Sequence, residues 1–424
     1  MLETEYQEID SQVRSCKAVQ NLMPGVNVTT LKAAHQRQKK KKAVGIDGTT
    51  KSEYEQNLDE NLESIIERMK RFSYRPLPVR RTYITKEGSD KMRPLGIPAY
   101  EDRLVQGVMA DILIRIYEPK FLECSYGFRP NHDCHKATEA LSKKIIFTKA
   151  DWLVDVDIKG FFDNVNHNWL IKFLEHDIED KNFIRYIKRF LKSGVMEDGK
   201  RLESDKGTPQ GGLISPTLAN VYLHYVLDLW FEKKVRGSCR GNAQMVRYAD
   251  DFVCVFERED EAMKFYEALK ERFAKFGLEF AEDKSKVIRF GRFARQHGVE
   301  ETFDFLGFRF INATSRNGKY TVACRTSPKK MKVKVAAMKR WLRDNMHIDK
   351  QELIQKINQK LVGHYRYYGI TGNTAKLNLF CYFVTKELYR VLNRRSQRKL
   401  TWEKFKRILV FNPIIQPKIF HKYA

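Results

Sequence analysis

Apolar positions along the chain recur in two rhythms, one of about 3.6 residues and one of about two, and changes of rhythm mark its elements. Leu62, Ile65, Ile66 and Met69 share one face of a predicted helix. Residues 1–60 before it read as a helical extension, interrupted by a basic run at 39–42 and a Gly45-Ile46-Asp47-Gly48 turn. Residues 75–98 alternate around Gly88-Ser89-Asp90, as a β-hairpin does. The helical period returns over 101–141, broken by a loop at 125–130, and Trp152-Leu153-Val154-Asp155-Val156-Asp157-Ile158 reads as a buried strand running into carboxylates. Helices are predicted to about Leu191, then a glycine-rich loop at 207–212 and a helix from Ser215 to about Phe231. A second hairpin has its tip at Tyr248-Ala249-Asp250-Asp251, followed by a helix from Glu259 to Phe276 and further strands over 278–310. Beyond about Ala313 the pattern is predominantly helical: Leu353, Ile354, Ile357, Leu361 and Tyr365 make one face, and Phe380, Val384, Leu388 and Val391 another. This irregular alternation predicts an α+β protein rather than a doubly wound sheet. The expected division is an extension (1–60), a main body (61–312), a helical region (313–397) and a short basic segment (398–424).

Composition narrows the class. The 424 residues are 42% hydrophobic and 12% aromatic, which excludes disorder for most of the chain. The net charge of +25 is concentrated: residues 321–424 carry 24 Lys and Arg against 5 Asp and Glu. Such a one-signed surface points to phosphates, and nucleic acid is the expected partner. No apolar run approaches the roughly 18 residues of a membrane span, and the N-terminus lacks a signal pattern, so a cytoplasmic protein is expected. Seven cysteines without a C-x-x-C pair argue against zinc fingers and disulfide frameworks.

Three carboxylates carry the candidate chemistry. Asp157 ends an apolar strand, and Asp250 and Asp251 stand at a hairpin between two apolar runs. Carboxylates at a sheet rim need water, cations or metal, and oxygen ligands without His or Cys select a hard cation, above all Mg²⁺. A pair of such ions suits an attacking hydroxyl and a leaving pyrophosphate. The plain alternative is a pair of solvated turn aspartates. Lys86 and Arg93 flank the Gly88 turn and would present two cations together, although hairpin cations are ordinarily just solvated. The 207–212 loop lets backbone approach a ligand, or is simply a loop. Phe161-Phe162 is either a platform for a sugar or an ordinary core pair.

Taken in order, these blocks resemble reverse transcriptases of the group II intron-encoded type. Tyr248-Ala249-Asp250-Asp251, after Arg247, is similar to the family's YxDD box, and Asp157-Ile158-Lys159-Gly160-Phe161-Phe162-Asp163 to its first metal-binding motif. GTPQGGLISP at 207–216, RPLGIP at 93–98, SYGFRP at 125–130 and FLGF at 305–308 complete the series. The resemblance implies RNA-directed DNA polymerisation with two Mg²⁺ ions, on a right-hand fold of fingers, palm and helical thumb, the thumb being the maturase X region. It implies Asp157, Asp250 and Asp251 as catalytic carboxylates and metal ligands, with the Ile158 carbonyl as a further ligand. Lys86, Arg93, Ile158, Phe162, Gln210 and Lys284 would contact the dNTP. Of these, Phe162 would exclude the 2′-hydroxyl, and Lys284, or alternatively Lys286, would protonate pyrophosphate. Phe305, Leu306, Gly307 and Phe308 would grip the primer end.

The same resemblance implies a group II intron RNA as a partner, besides an RNA template with a DNA or RNA primer, dNTPs and target DNA. Lys329, Lys330, Lys332, Lys334, Arg340 and Arg366 are the residues expected to meet RNA. In Gly363-His364-Tyr365-Arg366-Tyr367-Tyr368-Gly369 the tyrosines either stack on nucleotides or pack between helices. No Cys/His-rich module follows, so the family's HNH endonuclease is expected to be absent and the primer to come from elsewhere, such as a replication fork. Two other readings stand beside this one: a non-catalytic RNA-binding splicing factor, which predicts eroded carboxylates, and a domesticated reverse transcriptase in phage defence.

Overall fold

The computed structural model describes residues 2–85, 92–197, 199–202, 206–208, 211–299, 301–395 and 399–423. It is an α+β protein, with three sheets among the described residues. Strands β1 (Val79–Thr85), β2 (Met92–Ile97), β4 (Val195–Glu197) and β5 (Lys200–Leu202) form one in the order β2-β1-β4-β5. Strands β3 (Trp152–Val156), β6 (Ala243–Tyr248), β7 (Asp251–Phe256) and β8 (Lys286–Arg289) form the second, ordered β6-β7-β3-β8. The third holds β9 (Thr302–Phe305), β10 (Phe308–Thr314) and β11 (Tyr320–Thr326) in the order β11-β10-β9. The chain divides into two compact units: residues 1–137 with 153–287, and residues 138–152 with 288–424.

In the first unit the helix Tyr100–Tyr117 is buried along most of its length and forms a spine, with Leu104, Val105, Val108, Met109, Ile112, Leu113 and Ile116 fully buried. Each such side chain contributes about 1.5–3 kcal/mol of burial. The N-terminal extension folds onto this unit: Arg115 pairs with Asp10 at 2.6 Å and Arg37 with Asp111 at 2.5 Å. Its helix Val28–Arg37 starts at a reciprocal cap between Asn27 and Thr30. The helix Lys181–Leu191 is capped by Asp180, which accepts from the amides of Asn182 and Phe183 and from those of Leu22 and Met23.

Several expectations change. The region beyond Ala313 is not helical at once: β10 runs to Thr314 and β11 occupies Tyr320–Thr326 before the helix Pro328–Asp344 begins. The seven pairings between β10 and β11 offset the weak helical period of this short stretch. The pair β4 and β5 falls where only helix and loop were expected; β4 joins β1 in parallel, at Val79↔Val195 and Arg80↔Met196. The helix expected over 215–231 is regular only across Ser215–Leu223, and π-helical turns follow at His224–Asp228 and Phe231–Val235.

In the second unit the helices Pro328–Asp344, Lys350–Tyr368 and Thr374–Arg394 bury the predicted stripes, including Leu353, Ile357, Leu361, Phe380, Val384, Leu388 and Val391. Tyr365 and Tyr368 are buried there, as helix-packing residues. Among the described residues no helix is long and apolar enough to cross a membrane.

Candidate active site

The acidic hairpin is tight. Tyr248 pairs with Asp251, so Ala249 and Asp250 alone make the turn, and Ala249 takes φ +58°. A residue other than glycine in that region carries strain of order 1 kcal/mol and needs support from its surroundings. The support is Arg247, wholly buried. Its guanidinium donates to the Ala249 carbonyl at 3.0 Å, to Asn220 Oδ1 at 2.9 Å and to Ser125 Oγ at 2.7 Å. The remaining donors form a two-pronged pair with Asp228, equally buried, with Nε to Oδ1 at 2.7 Å. Asp228 ends the first π-helical turn.

The SYGFRP segment closes over the same turn. The Tyr126 amide donates to the Arg247 carbonyl at 2.8 Å and the Arg247 amide to the Cys124 carbonyl at 2.7 Å, so this loop runs beside β6 like a further strand. The Gly127 carbonyl accepts from Asn220 Nδ2 at 2.7 Å. A Cβ on Gly127 would stand 2.3 Å from the Ala249 amide nitrogen, so no other residue fits. Two sequence blocks, 122 positions apart at Ser125 and Arg247, thus meet through backbone, and Ser125, Asn220 and Asp228 were not expected from sequence. The signal for Arg247 was present in the chain: a charged residue in a strand whose other residues are mostly apolar, beside buried Val246.

Asp157 follows β3 directly. The Ala281 amide donates to its carbonyl at 2.8 Å, and its own amide donates to Ser285 Oγ at 3.3 Å. Ile158 has a buried side chain, and its antiparallel bridge to Phe280 is made through the Asp157 carbonyl and the Lys159 amide rather than through its own carbonyl. Lys284 Nζ lies 2.9 Å from Asp157 Oδ2. That hydrogen bond raises the Lys284 pKa, with the charges of Asp157, Asp283 and Asp251 adding to it against modest desolvation. Burial pushes the Asp250 carboxyl up, Asp157 adds to the rise, and Arg93 and Arg247 oppose it. Asp157, Asp250, Asp251, Arg93 and Lys284 therefore lie within one electrostatic neighbourhood. Lys286 begins β8.

The other blocks wrap this neighbourhood. The Gly207 amide donates to the Val165 carbonyl and the Thr208 amide to the Phe162 carbonyl, both at 2.7 Å, fixing the glycine loop to the Asp157 motif. Gly211, at φ +114°, approaches β2 so closely that a Cβ would lie 2.3 Å from the Gly96 carbonyl oxygen. Phe161 is buried; Phe162 is half-exposed, its ring 5.4 Å from that of Phe161. Lys86, the Gly88 turn and Gln210 lie outside the described residues.

The donor set here is oxygen only, the chemistry of a hard divalent cation. Among the described residues no three acidic, His or Cys side chains close into a ready cage, and the Asp157 carboxylate faces Lys284 instead.

In the second unit Leu306 (φ +49°) and Gly307 (φ +81°) form a two-residue turn between β9 and β10. The Tyr367 hydroxyl donates to the Leu306 carbonyl at 2.9 Å, and the Phe308 ring stacks on Tyr367. The YRYYG stretch thus buttresses the FLGF turn. Lys329, Lys332, Arg340 and Arg366 are exposed; Lys330 and Lys334 are half-buried.

Carboxylates set among cations on backbone-locked turns suit a substrate that carries a polyphosphate. Residues 84–310 match the family Reverse transcriptase (RNA-dependent DNA polymerase), and the chain belongs to that family. It is 30% identical over 422 residues to the Group II intron-encoded protein LtrA of Lactococcus lactis subsp. cremoris, an alignment covering 81% of this chain and 69% of that protein. It is 30% identical over 311 residues to Protein YkfC of Escherichia coli (strain K12), covering 66% and 78%. A shorter match, 28% over 181 residues, joins it to the Nuclear intron maturase 2, mitochondrial, of Arabidopsis thaliana, covering 33% and 24%.

Proposed function

We propose that the chain is an RNA-directed DNA polymerase that also binds a group II intron RNA and assists its splicing and mobility, acting in the cytoplasm. The observation that carries the polymerase reading is the common electrostatic neighbourhood of Asp157, Asp250, Asp251, Arg93 and Lys284. In this reading the sheet β2-β1-β4-β5 belongs to the fingers, β6-β7-β3-β8 to the palm, and the helices from Pro328 to the thumb. The names of the intron-encoded and maturase relatives support the splicing role.

Asp157, Asp250, Asp251 and the Ile158 carbonyl would hold two Mg²⁺ ions, which when bound supply charge neutralisation for the primer hydroxyl and the leaving pyrophosphate. Arg93, with Lys86, binds the triphosphate, and Gln210 lines the nucleotide pocket. Phe162 packs against the sugar and leaves no space for a 2′-hydroxyl. Lys284 holds a proton on Nζ beside Asp157 and is placed to give it to the departing pyrophosphate. Phe305, Leu306, Gly307 and Phe308 hold the primer end. Primer extension on RNA tests this: metal-stripped protein makes no cDNA, and added Mg²⁺ restores synthesis. Extension that survives chelation would overturn the metal assignment.

The RNA surface is assigned to Lys329, Lys330, Lys332, Lys334, Arg340 and Arg366. The helix Pro328–Asp344 opens with lysines and no acidic residue in its first turn, against the helix dipole. Such a breach of a local rule is expected where a phosphate supplies the missing negative charge. Changing Lys329, Lys330, Lys332 and Lys334 to Gln should weaken intron RNA binding and flatten the slope of log K against log salt by about 0.7–0.9 for each phosphate no longer neutralised. An unchanged slope in a filter-binding titration would move the surface elsewhere.

A further inference from the structure

We propose a second nucleic-acid site in the residue 138–152 and 288–424 unit: an open groove at the far end of the β10–β11 hairpin from the FLGF turn, taking one unpaired nucleotide of single-stranded RNA. The groove has a volume of about 660 Å³, ample for a nucleotide, and its lining includes Phe147, Arg292, Gln296, Lys319 and Tyr320. Among the described residues, none that lines it is acidic. Phe147 ends the helix Cys134–Phe147 with 79% of its surface exposed, costly for a ring that only packed. Opposite chemistry is prearranged: the Arg292 guanidinium lies over the Tyr320 ring at 5.8 Å, and its Nη2 donates to the Ile146 carbonyl at 3.2 Å. Tyr320 is itself fixed by its hydroxyl bond to Asn312 Oδ1 at 2.7 Å. A planar cation on an aromatic ring, an exposed ring and a lysine in the adjoining turn give a base two stacking faces and its phosphates two charges.

Charge selects the occupant. The segments that supply its lining, residues 143–149, 292–296 and 314–320, hold seven Lys and Arg and no Asp or Glu in their sequence. An apolar protein partner would use Phe147 but would leave Arg292 and Lys319 uncompensated. The ligand class rests on the polymerase reading, because a reverse transcriptase handles single-stranded template; the groove itself does not.

The test uses the full chain with its polymerase centre saturated by an RNA template–DNA primer duplex and the next dNTP. A fluorescent uridine oligonucleotide carrying 4-thiouridine is then added. Photocross-links should map to peptides containing Phe147 or Tyr320. Phe147→Ala should weaken oligonucleotide binding about tenfold, within the range for loss of one stacked base, and Phe147→Trp should retain it. Arg292→Gln should lower the salt slope by about 0.7. Primer extension on a short template should stay at the wild-type rate in each variant. Extension without a cross-link at this groove overturns the inference alone. A cross-link here without extension supports the groove and overturns the polymerase reading. If Phe147→Ala dissociates a self-associated form and leaves oligonucleotide affinity unchanged, the groove joins two copies of the chain and the inference is wrong.

Discussion

Asp250→Asn should reduce RNA-templated DNA synthesis by a factor on the order of 10³ or more while leaving intron RNA affinity within about twofold. Asn keeps the size and the turn-forming habit of Asp, so the Ala249–Asp250 turn and its hold on Arg247 persist; only the anionic oxygen is lost. The same change should not destabilise the protein. Burial and the neighbouring Asp157 raise the Asp250 pKa, so near neutral pH its carboxylate is less favourable in the folded chain than in the unfolded one. That contribution works against folding above the unfolded pKa, and a neutral amide removes it. Thermal unfolding should show an equal or higher midpoint. A lower midpoint would mean that Arg93 and Arg247 outweigh burial, and equal loss of RNA binding would refute the separation of roles.

Arg247→Met should cost about 3–5 kcal/mol of stability, since it leaves Asp228 charged and buried and removes donors from Ser125, Asn220 and Ala249. Urea denaturation should show the fall in midpoint at constant slope. A double variant, Arg247→Met with Asp228→Leu, removes the unpaired charge and should recover much of that stability. It does not restore the hydrogen bond to the Ala249 carbonyl. If Arg247 positions the catalytic turn, the double variant stays slow in primer extension although it is folded, with the deficit in kcat rather than in KM for dNTP. Recovery of kcat together with stability would make Arg247 a purely structural residue.

What was legible in the sequence was local chemistry. Asp157, Asp250 and Asp251 stood out because carboxylates interrupt apolar strands, and the long helical stripes of the second unit stood out by period. The support for the acidic turn was not legible, because its parts come from positions 125, 127, 220, 228 and 247 and only the folded backbone joins them. Lys284 and Asp157 are 127 positions apart, and no period links them. β4 and β5, three residues each, are too short for an alternation to register. β11 is hidden for another reason: Val322, Cys324 and Thr326 alternate inward as in a strand, but Ala323 between them and the polar Thr326 blur the contrast in the sequence. Two of the motif blocks, SYGFRP and GTPQGG, by contrast, are close backbone approaches written in glycine, as those of Gly127 to Ala249 and of Gly211 to Gly96 show.

The most direct test of the central claim is single-turnover primer extension on an RNA template with dNTPs and Mg²⁺, wild type beside Asp250→Asn. A cDNA complementary to the template, made by the wild type and not by the variant, is the expected result. No product from either protein, with intron RNA still tightly bound, would contradict the account and leave an RNA-binding splicing factor on a polymerase scaffold.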